Sequence, residues 1–248
     1  METKIINKLI DWIKDYVNSV NAKGVVIGMS GGKDSLVVAK LCIMALGNDN
    51  VYGLILPNGE MSDIQDAIKS CELLNLKYSI INIQNAFNSI IENVSNILPG
   101  KSLSSITTLN TAPRLRMTTL YALAGSLNYL VVNTSNLSET MIGYCTKWGD
   151  NVGDFAPIAN FTKTEVCEMG LMLGLPNELV NKTPSDGLSG MSDETKLGFS
   201  YEELDNFIRT GKKASNFDKI NRLYNTTKHK RDQINKFQNS FINYFELN

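Results

Sequence analysis

No stretch of this chain approaches the ~18 consecutive apolar residues of a membrane-spanning helix, which excludes an integral helical membrane protein. The opening METKIINKLIDWIKDYV threads Lys and Asp through its apolar positions and so lacks the continuous apolar core of a signal peptide. A cytoplasmic protein with no membrane partner is the expectation. The four cysteines, Cys42, Cys71, Cys145 and Cys167, stand far apart with no CxxC pair, which excludes the usual zinc and dithiol spacings and leaves buried thiols. Basic residues are not in surplus. With 24 Lys and Arg against 25 Asp and Glu the formal charge is −1, which argues against a nucleic-acid partner. There is a single histidine, His229, and neither an internal repeat nor a low-complexity tract.

What is present is ordinary for a globular protein: 43% hydrophobic and 20% charged residues over 248 positions, enough for one large α/β domain. The informative stretch is Gly28-Met29-Ser30-Gly31-Gly32-Lys33-Asp34-Ser35, between the apolar run Gly24–Ile27 and the helix-forming Leu36–Leu41. Strand, glycine turn and helix in that order bring unobstructed backbone and helix N-terminal amides to one point, which favours an anionic ligand such as a phosphate chain. Two common motifs do not match. A Walker P-loop needs Gly where Ile27 stands and Ser or Thr where Asp34 stands, and a dinucleotide fingerprint needs Gly at Ser30. A carboxylate beside phosphates requires an intervening cation, so Asp34 is a candidate Mg²⁺ ligand. The alternative is an ordinary strand-to-helix turn in which Asp34 complements the helix dipole.

Ile5, Ile6, Leu9, Ile10, Ile13, Tyr16, Val17 and Val20 recur at helical spacing and predict an amphipathic helix ending near residues 21–24. Strands at 24–29, 51–56, 76–83 and 129–134 alternate with helices at 34–47, 62–75, 85–98, 111–128 and 163–174. A polar connection over 101–110 separates the helices at 85–98 and 111–128, and Pro113 falls in the first turn of the second of these. Such alternation predicts a doubly wound parallel sheet with helices on both faces and ligands at the strand C-termini. The predicted domain spans 1–248. It divides into an N-terminal helix (1–22), a nucleotide-binding α/β core (24–180), a turn-rich mobile lid (181–200) and a helical C-terminal part (201–248).

After the fourth strand, Thr134, Glu139, Lys147, Asp150 and Asp154 crowd into a loop over the predicted crevice. Glu139 could complete a Mg²⁺ shell with Asp34. The alternative is a solvated helix start with Glu139 paired to Lys147.

The octet resembles the SGGxDS loop of the ATP pyrophosphatase (PP-loop) superfamily. Within it, TSNLSETMIGYCTKWGDNVGDFAPIANFTKTEV resembles the TSNxSE…GYxTKxGD…D…PI…KTEV stretch of bacterial ammonia-dependent NAD synthetases. Lys182-Thr183-Pro184-Ser185, Asp193-Glu194, Leu197–Tyr201, Arg114-Leu115-Arg116-Met117 and His229-Lys230-Arg231 resemble further segments of that family, so the likeness runs from about residue 24 to 231. It implies an adenine-nucleotide alpha-hydrolase-like, Rossmann-like fold and a homodimer that amidates deamido-NAD to NAD through an adenylate, with ATP as co-substrate. Mg²⁺ and ammonia are implied with it. No glutaminase domain is expected, hence the use of ammonia itself.

Residue by residue, the resemblance implies that Gly28, Met29, Ser30, Gly31, Gly32, Lys33, Asp34, Ser35, Thr134, Lys163 and Ser185 contact ATP. Asp34 and Glu139 would hold Mg²⁺. Arg114, Lys147, Asp154, His229 and Lys230 would contact deamido-NAD. Asp34, Asp150 and Lys163 would be catalytic, with Asp150 near ammonia. Lys33 and Asn133 depart from the commoner residues of the family, and Lys33 adds positive charge at the phosphates. Without the resemblance, Lys163 only begins a helix, Arg114 pairs a surface carboxylate and His229 caps a solvated helix end. The same loop also suits a GMP synthetase subunit or a tRNA-modifying enzyme.

Overall fold

The computed structural model describes residues 2–60, 64–98, 100–182 and 192–237. Four parallel strands, β1 (Gly24–Gly28), β2 (Val51–Ile55), β3 (Lys77–Ile80) and β4 (Tyr129–Val132), form one sheet in the order β3-β2-β1-β4. Chain order runs outward from β1 through β2 to β3 and then returns to the other side of β1. The reversal lies between β1 and β4, where α/β sheets open a crevice at their C-terminal edge. A parallel bridge between Val132 and Phe155 extends the sheet by one residue pair beyond β4.

Alternation along β1 decides which helices cover which face. Val25 and Ile27 point into a core with Ile6, Ile13 and Val17 of α1 (Thr3–Ser19) and with Leu36, Val37 and Leu41 of α2 (Lys33–Leu46). The same core takes Ala67 and Cys71 of α3 (Ile64–Leu73) and Val166 and Met169 of α7 (Lys163–Met172). Val26 points the other way, onto Met117, Leu120 and Ala124 of α5 (Ser105–Leu127), with α4 (Gln84–Asn96) packed outside it. Because both faces are covered at the centre of the sheet, β1 reads as a continuous apolar run rather than an alternating one, whereas the edge strand β3 (Lys77-Tyr78-Ser79-Ile80) is half exposed.

Beyond the sheet edge, α6 (Leu137–Ile142), α9 (Asp193–Leu197), α10 (Tyr201–Thr210) and α11 (Phe217–Thr226) share a third, smaller core of Ile142, Leu197, Phe199, Tyr201, Leu204 and Ile220. The remaining short helices are α8 (Asn177–Val180), α12 (Lys228–Arg231) and a 3₁₀ turn at Asn48–Asn50 before β2.

Three expectations need correction. The polar connection over 101–110 is helical from Ser105, because Ser104 accepts the Thr107 amide and starts α5 there. Pro113 is therefore inside α5, not in its first turn. It removes the donor that would meet the Leu109 carbonyl, and the helix continues because the next turns bury Met117 and Leu120 on the sheet. In the segment read as a lid, residues 193–197 are helix α9, capped by Ser192, and Leu197 and Phe199 are buried in the third core. Residues 183–191 of that segment, and Ser185 with them, lie outside the described residues.

Candidate active site

A cavity of about 630 Å³ opens at the C-terminal ends of β1, β2 and β4. All eight residues of the octet line it, together with Thr134, Glu139, Asp150, Lys163 and Lys230. The octet is braced internally: Ser30 Oγ accepts the Gly32 amide at 3.2 Å and lies 3.2 Å from Ser35 Oγ, which donates to the Gly32 carbonyl at 3.0 Å. Gly31 has φ +79°, and a Cβ there would stand 2.8 Å from the Ala67 amide nitrogen. Only glycine lets the turn pass so close to the first turn of α3. Lys33, buried in the first turn of α2, directs its ammonium to the Cys167 thiol of α7 at 3.5 Å. The added positive charge expected at the phosphates is thus turned toward α7.

Three charges meet at the centre. Lys163 Nζ lies 2.7 Å from Asp34 Oδ2 and 2.7 Å from Glu139 Oε1, with its side chain 6% exposed. The Tyr201 ring lies under the same ammonium, 5.3 Å away. Glu139 therefore pairs with Lys163 and not with Lys147. Burial works against the Lys163 charge, but the two carboxylates outweigh it and hold the lysine protonated well above its usual range. Two carboxylates share one ammonium, so burial, opposed by Lys163 and aided by Asp34, raises the Glu139 carboxyl to about 7.

Local sequence explains the placement. Asn136 caps α6, accepting the Glu139 amide at 3.0 Å while the Glu139 carboxylate reaches back to the Asn136 amide. The free amide of the Asn136 side chain donates to Asp34 Oδ1 at 3.1 Å. Thr162 and Glu165 form a second capping box that starts α7 at Lys163. Asp34 and Glu139 are hard oxygen donors on one cavity wall, each oxygen with lone pairs beyond those used, and Mg²⁺ commonly takes one or two carboxylates with phosphate and water. The donor set fits that ion.

Asn133 occupies a buried position beneath the loop and donates to the Asp150 carbonyl at 3.1 Å and the Val152 carbonyl at 3.3 Å. Asp150 Oδ1 accepts the Thr146 amide at 2.7 Å, closing the turn over 146–150. This turn presents Asp150 to the cavity.

Of the five residues expected at the second substrate, only Lys230 lines the cavity, and its ammonium is held by the carbonyls of Gly143 at 2.8 Å and Cys145 at 2.6 Å. Arg114 Nε donates to the Lys147 carbonyl at 3.2 Å, and Lys147 Nζ donates to the carbonyl of the exposed His229. No carboxylate partner to Arg114 occurs among its described bonds. Asp154 faces α1 and α5: its carboxylate accepts the Val131 amide at 2.7 Å and the Tyr121 hydroxyl at 3.3 Å. These four residues are not brought together with the octet within one chain.

The sequence reading assigned no role to Arg116, which lines the cavity and donates to the Leu56 carbonyl at 2.9 Å, or to Asn136. The Asn-x-x-Glu spacing of a capping box was the available signal for Asn136. Lys182, named in the sequence only as part of a family-like segment with no role of its own, lines the cavity and pairs with Asp66 of α3. In α12, Arg231 Nη1 meets the Met141 carbonyl at 2.9 Å and the Thr227 hydroxyl at 2.9 Å, so the basic cluster fastens the C-terminus of α6. Among the described residues no group of three or more His, Cys, Asp or Glu is arranged to hold a metal, and no helix is long and apolar enough to cross a membrane.

A family model described as NAD synthase matches residues 5–240. The chain is 43% identical over 206 residues to the NH(3)-dependent NAD(+) synthetase of Thermococcus sibiricus, covering 83% of this chain and 79% of that protein. It is 40% identical over 227 residues to the enzyme of the same name from Carboxydothermus hydrogenoformans, covering 90% and 93%. Among solved structures, the NMN synthetase from Francisella tularensis superposes with a TM-score of 0.86 at 35% identity, covering 96% of this chain and 98% of that one.

Proposed function

We infer, from the premise that this chain belongs to the NAD synthase family, that it is an ammonia-dependent ligase that amidates deamido-NAD to NAD with ATP as co-substrate. The observation that carries the reading is the convergence of the octet, two carboxylates and a protonated lysine on one cavity at the sheet's switch point.

The chemistry is the one that membership of the family implies. The nicotinate carboxylate is a poor acylating group, because displacing it directly would expel oxide. In the proposed sequence its oxygen attacks the α-phosphorus of ATP and pyrophosphate departs. Ammonia then attacks the acyl carbon and AMP leaves. The octet amides and the N-terminus of α2 face the departing pyrophosphate, and Lys163 supplies a fixed positive charge beside it. Asp34 and Glu139 would hold Mg²⁺, which neutralises phosphate charge when bound. Asp150, exposed to the cavity, would take the proton that ammonium must lose before it can attack. Thr134 and Ser185 belong to the proposed ATP contacts.

Homodimerisation is part of the proposal. Arg114, Lys147, Asp154 and His229 lie outside the cavity of one chain, and apolar side chains stand exposed on and beside α4 and α5, with Ile97 at 75% and Ile106 at 66%. A second copy covering that face would bury them and could complete the acceptor site. A cytoplasmic location fits the family.

A second acceptor has one observation in its favour, the likeness to an NMN synthetase. Nicotinate mononucleotide carries the same carboxylate as deamido-NAD. The test follows pyrophosphate and product with ATP, Mg²⁺ and ammonium, offering deamido-NAD, nicotinate mononucleotide, XMP or tRNA in turn. Ammonium-dependent NAD with deamido-NAD as the preferred acceptor supports the reading. Preference for the mononucleotide moves the substrate within the family, and turnover of XMP or tRNA alone overturns the assignment.

A further inference from the structure

We propose that Asp205 of α10, with Ser138 of α6, is the positioning pair that sets the Lys163 ammonium and the Glu139 carboxylate against Asp34. The inference rests on the proposed function for its kinetic readouts only.

Asp205 is 4% exposed, yet no cation hydrogen-bonds its carboxylate among the described residues. A buried carboxylate without donors is costly, so its contacts show what it is for. Oδ2 accepts the Thr164 amide at 2.8 Å, and Oδ1 accepts the Ser138 hydroxyl. Ser138 Oγ in turn accepts the Lys163 amide at 2.9 Å. Thr162 Oγ1 accepts the Glu165 amide. The first three amides of α7, at Lys163, Thr164 and Glu165, are thus each assigned to a different acceptor, and the negative charge sits at the positive end of the helix.

The consequence reaches the active site through two short covalent links. Lys163 is the residue whose amide Ser138 holds, and Glu139 is the residue after Ser138. One carboxylate therefore fixes the backbones of both residues that face Asp34. It does so from α10, whose Tyr201 ring underlies the same ammonium. Tyr201, Leu204, Asp205 and Ile208 recur at helical spacing, so Asp205 stands on the buried face of its helix. Removing it would let α6 and α7 separate by fractions of an ångström at the point where Lys163 spans two carboxylates.

Three variants of the full chain test this: Ser138→Ala, Asp205→Asn and Asp205→Ala. Asparagine keeps an acceptor for Thr164 and turns a donor to Ser138, so it should retain more activity than alanine. Outer-shell partners of this kind typically change activity by about 10- to 100-fold, and we expect kcat to fall in that range with KM for ATP nearly unchanged. In a Lys163→Met background the same substitutions should lower kcat by less than they do in the parent, because one of the two residues they position is gone. Acetylation of Lys163 by acetic anhydride, mapped by mass spectrometry, gives a readout independent of turnover, and it should accelerate in each variant. Folded variants with unchanged kcat and unchanged Lys163 labelling would overturn the proposal. So would losses that simply add to that of Lys163→Met. Faster Lys163 labelling in a protein that amidates none of the acceptors would support the positioning role and sink the functional reading alone.

Discussion

Lys163 Nζ and Asp34 Oδ2 are 2.7 Å apart although 129 residues separate them in the chain. The first residue of α7 thereby closes onto the first turn of α2, and every charge at the centre of the site depends on that closure.

Replacing Lys163 by Met leaves Asp34 and Glu139 facing each other with side chains only 16% and 18% exposed. Breaking a buried ion pair by removing one partner costs about 3–5 kcal/mol, so Lys163→Met should unfold at markedly lower denaturant concentration at neutral pH. Pyrophosphate release should fall by at least about 100-fold. Urea titration and a pyrophosphate assay check the two effects separately.

Asn136 serves both as the cap of α6 and as a donor to Asp34, and the two roles can be divided. Serine is an equally good cap but too short to reach the Asp34 carboxylate. Asn136→Ser should leave the melting temperature nearly unchanged while the Mg²⁺ concentration for half-maximal activity rises by about 10-fold. An unchanged Mg²⁺ requirement would refute a role for the Asn136 amide in presenting the Asp34 carboxylate to the metal.

Glu165 joins α7 to α10 by accepting Arg209 Nε at 2.6 Å. Burial opposes its charge, but the Arg209 hydrogen bond and the Thr162 amide prevail and hold its carboxyl below the usual value of 4.5. A depressed carboxylate stabilises the fold above its unfolded pKa, and that contribution is lost as pH falls through the folded value. Glutamine preserves the capping box, so Glu165→Gln isolates the charge. It should cost about 1 kcal/mol at pH 7, and the difference from the parent should shrink as the pH is lowered through the acid range. Denaturation curves at neutral and acid pH check it.

If a second copy covers the apolar face beside α4 and α5, charges placed there should separate the subunits. Ile97→Asp with Ile106→Asp should shift sedimentation from dimer to monomer and raise KM for deamido-NAD more than KM for ATP. A parent chain that sediments as a monomer at micromolar concentration would refute the dimer.

The strand–turn–helix octet, the parallel sheet and the candidacy of Asp34 and Glu139 were legible in the sequence as local patterns, whereas Asp150 and Lys163 became candidates only through the family resemblance. Glycine spacing sets the turn and apolar runs mark strands covered on both faces. The capping boxes Asn136-x-x-Glu139 and Thr162-x-x-Glu165 are equally local but were recognised only in the structure. The start of α5 was not read, because a Ser/Thr-rich segment looks like a loop until Ser104 is seen to cap it. Tertiary structure alone decided what each charge faces. Glu139 meets Lys163 instead of Lys147, Lys33 turns to Cys167, Lys230 and Arg231 hold loop and helix carbonyls, and Asp205 reaches two helix starts from a third helix. Local sequence determines backbone conformation through steric and capping preferences, whereas the partner of a long charged side chain is chosen by how distant elements pack, which no spacing along the chain records.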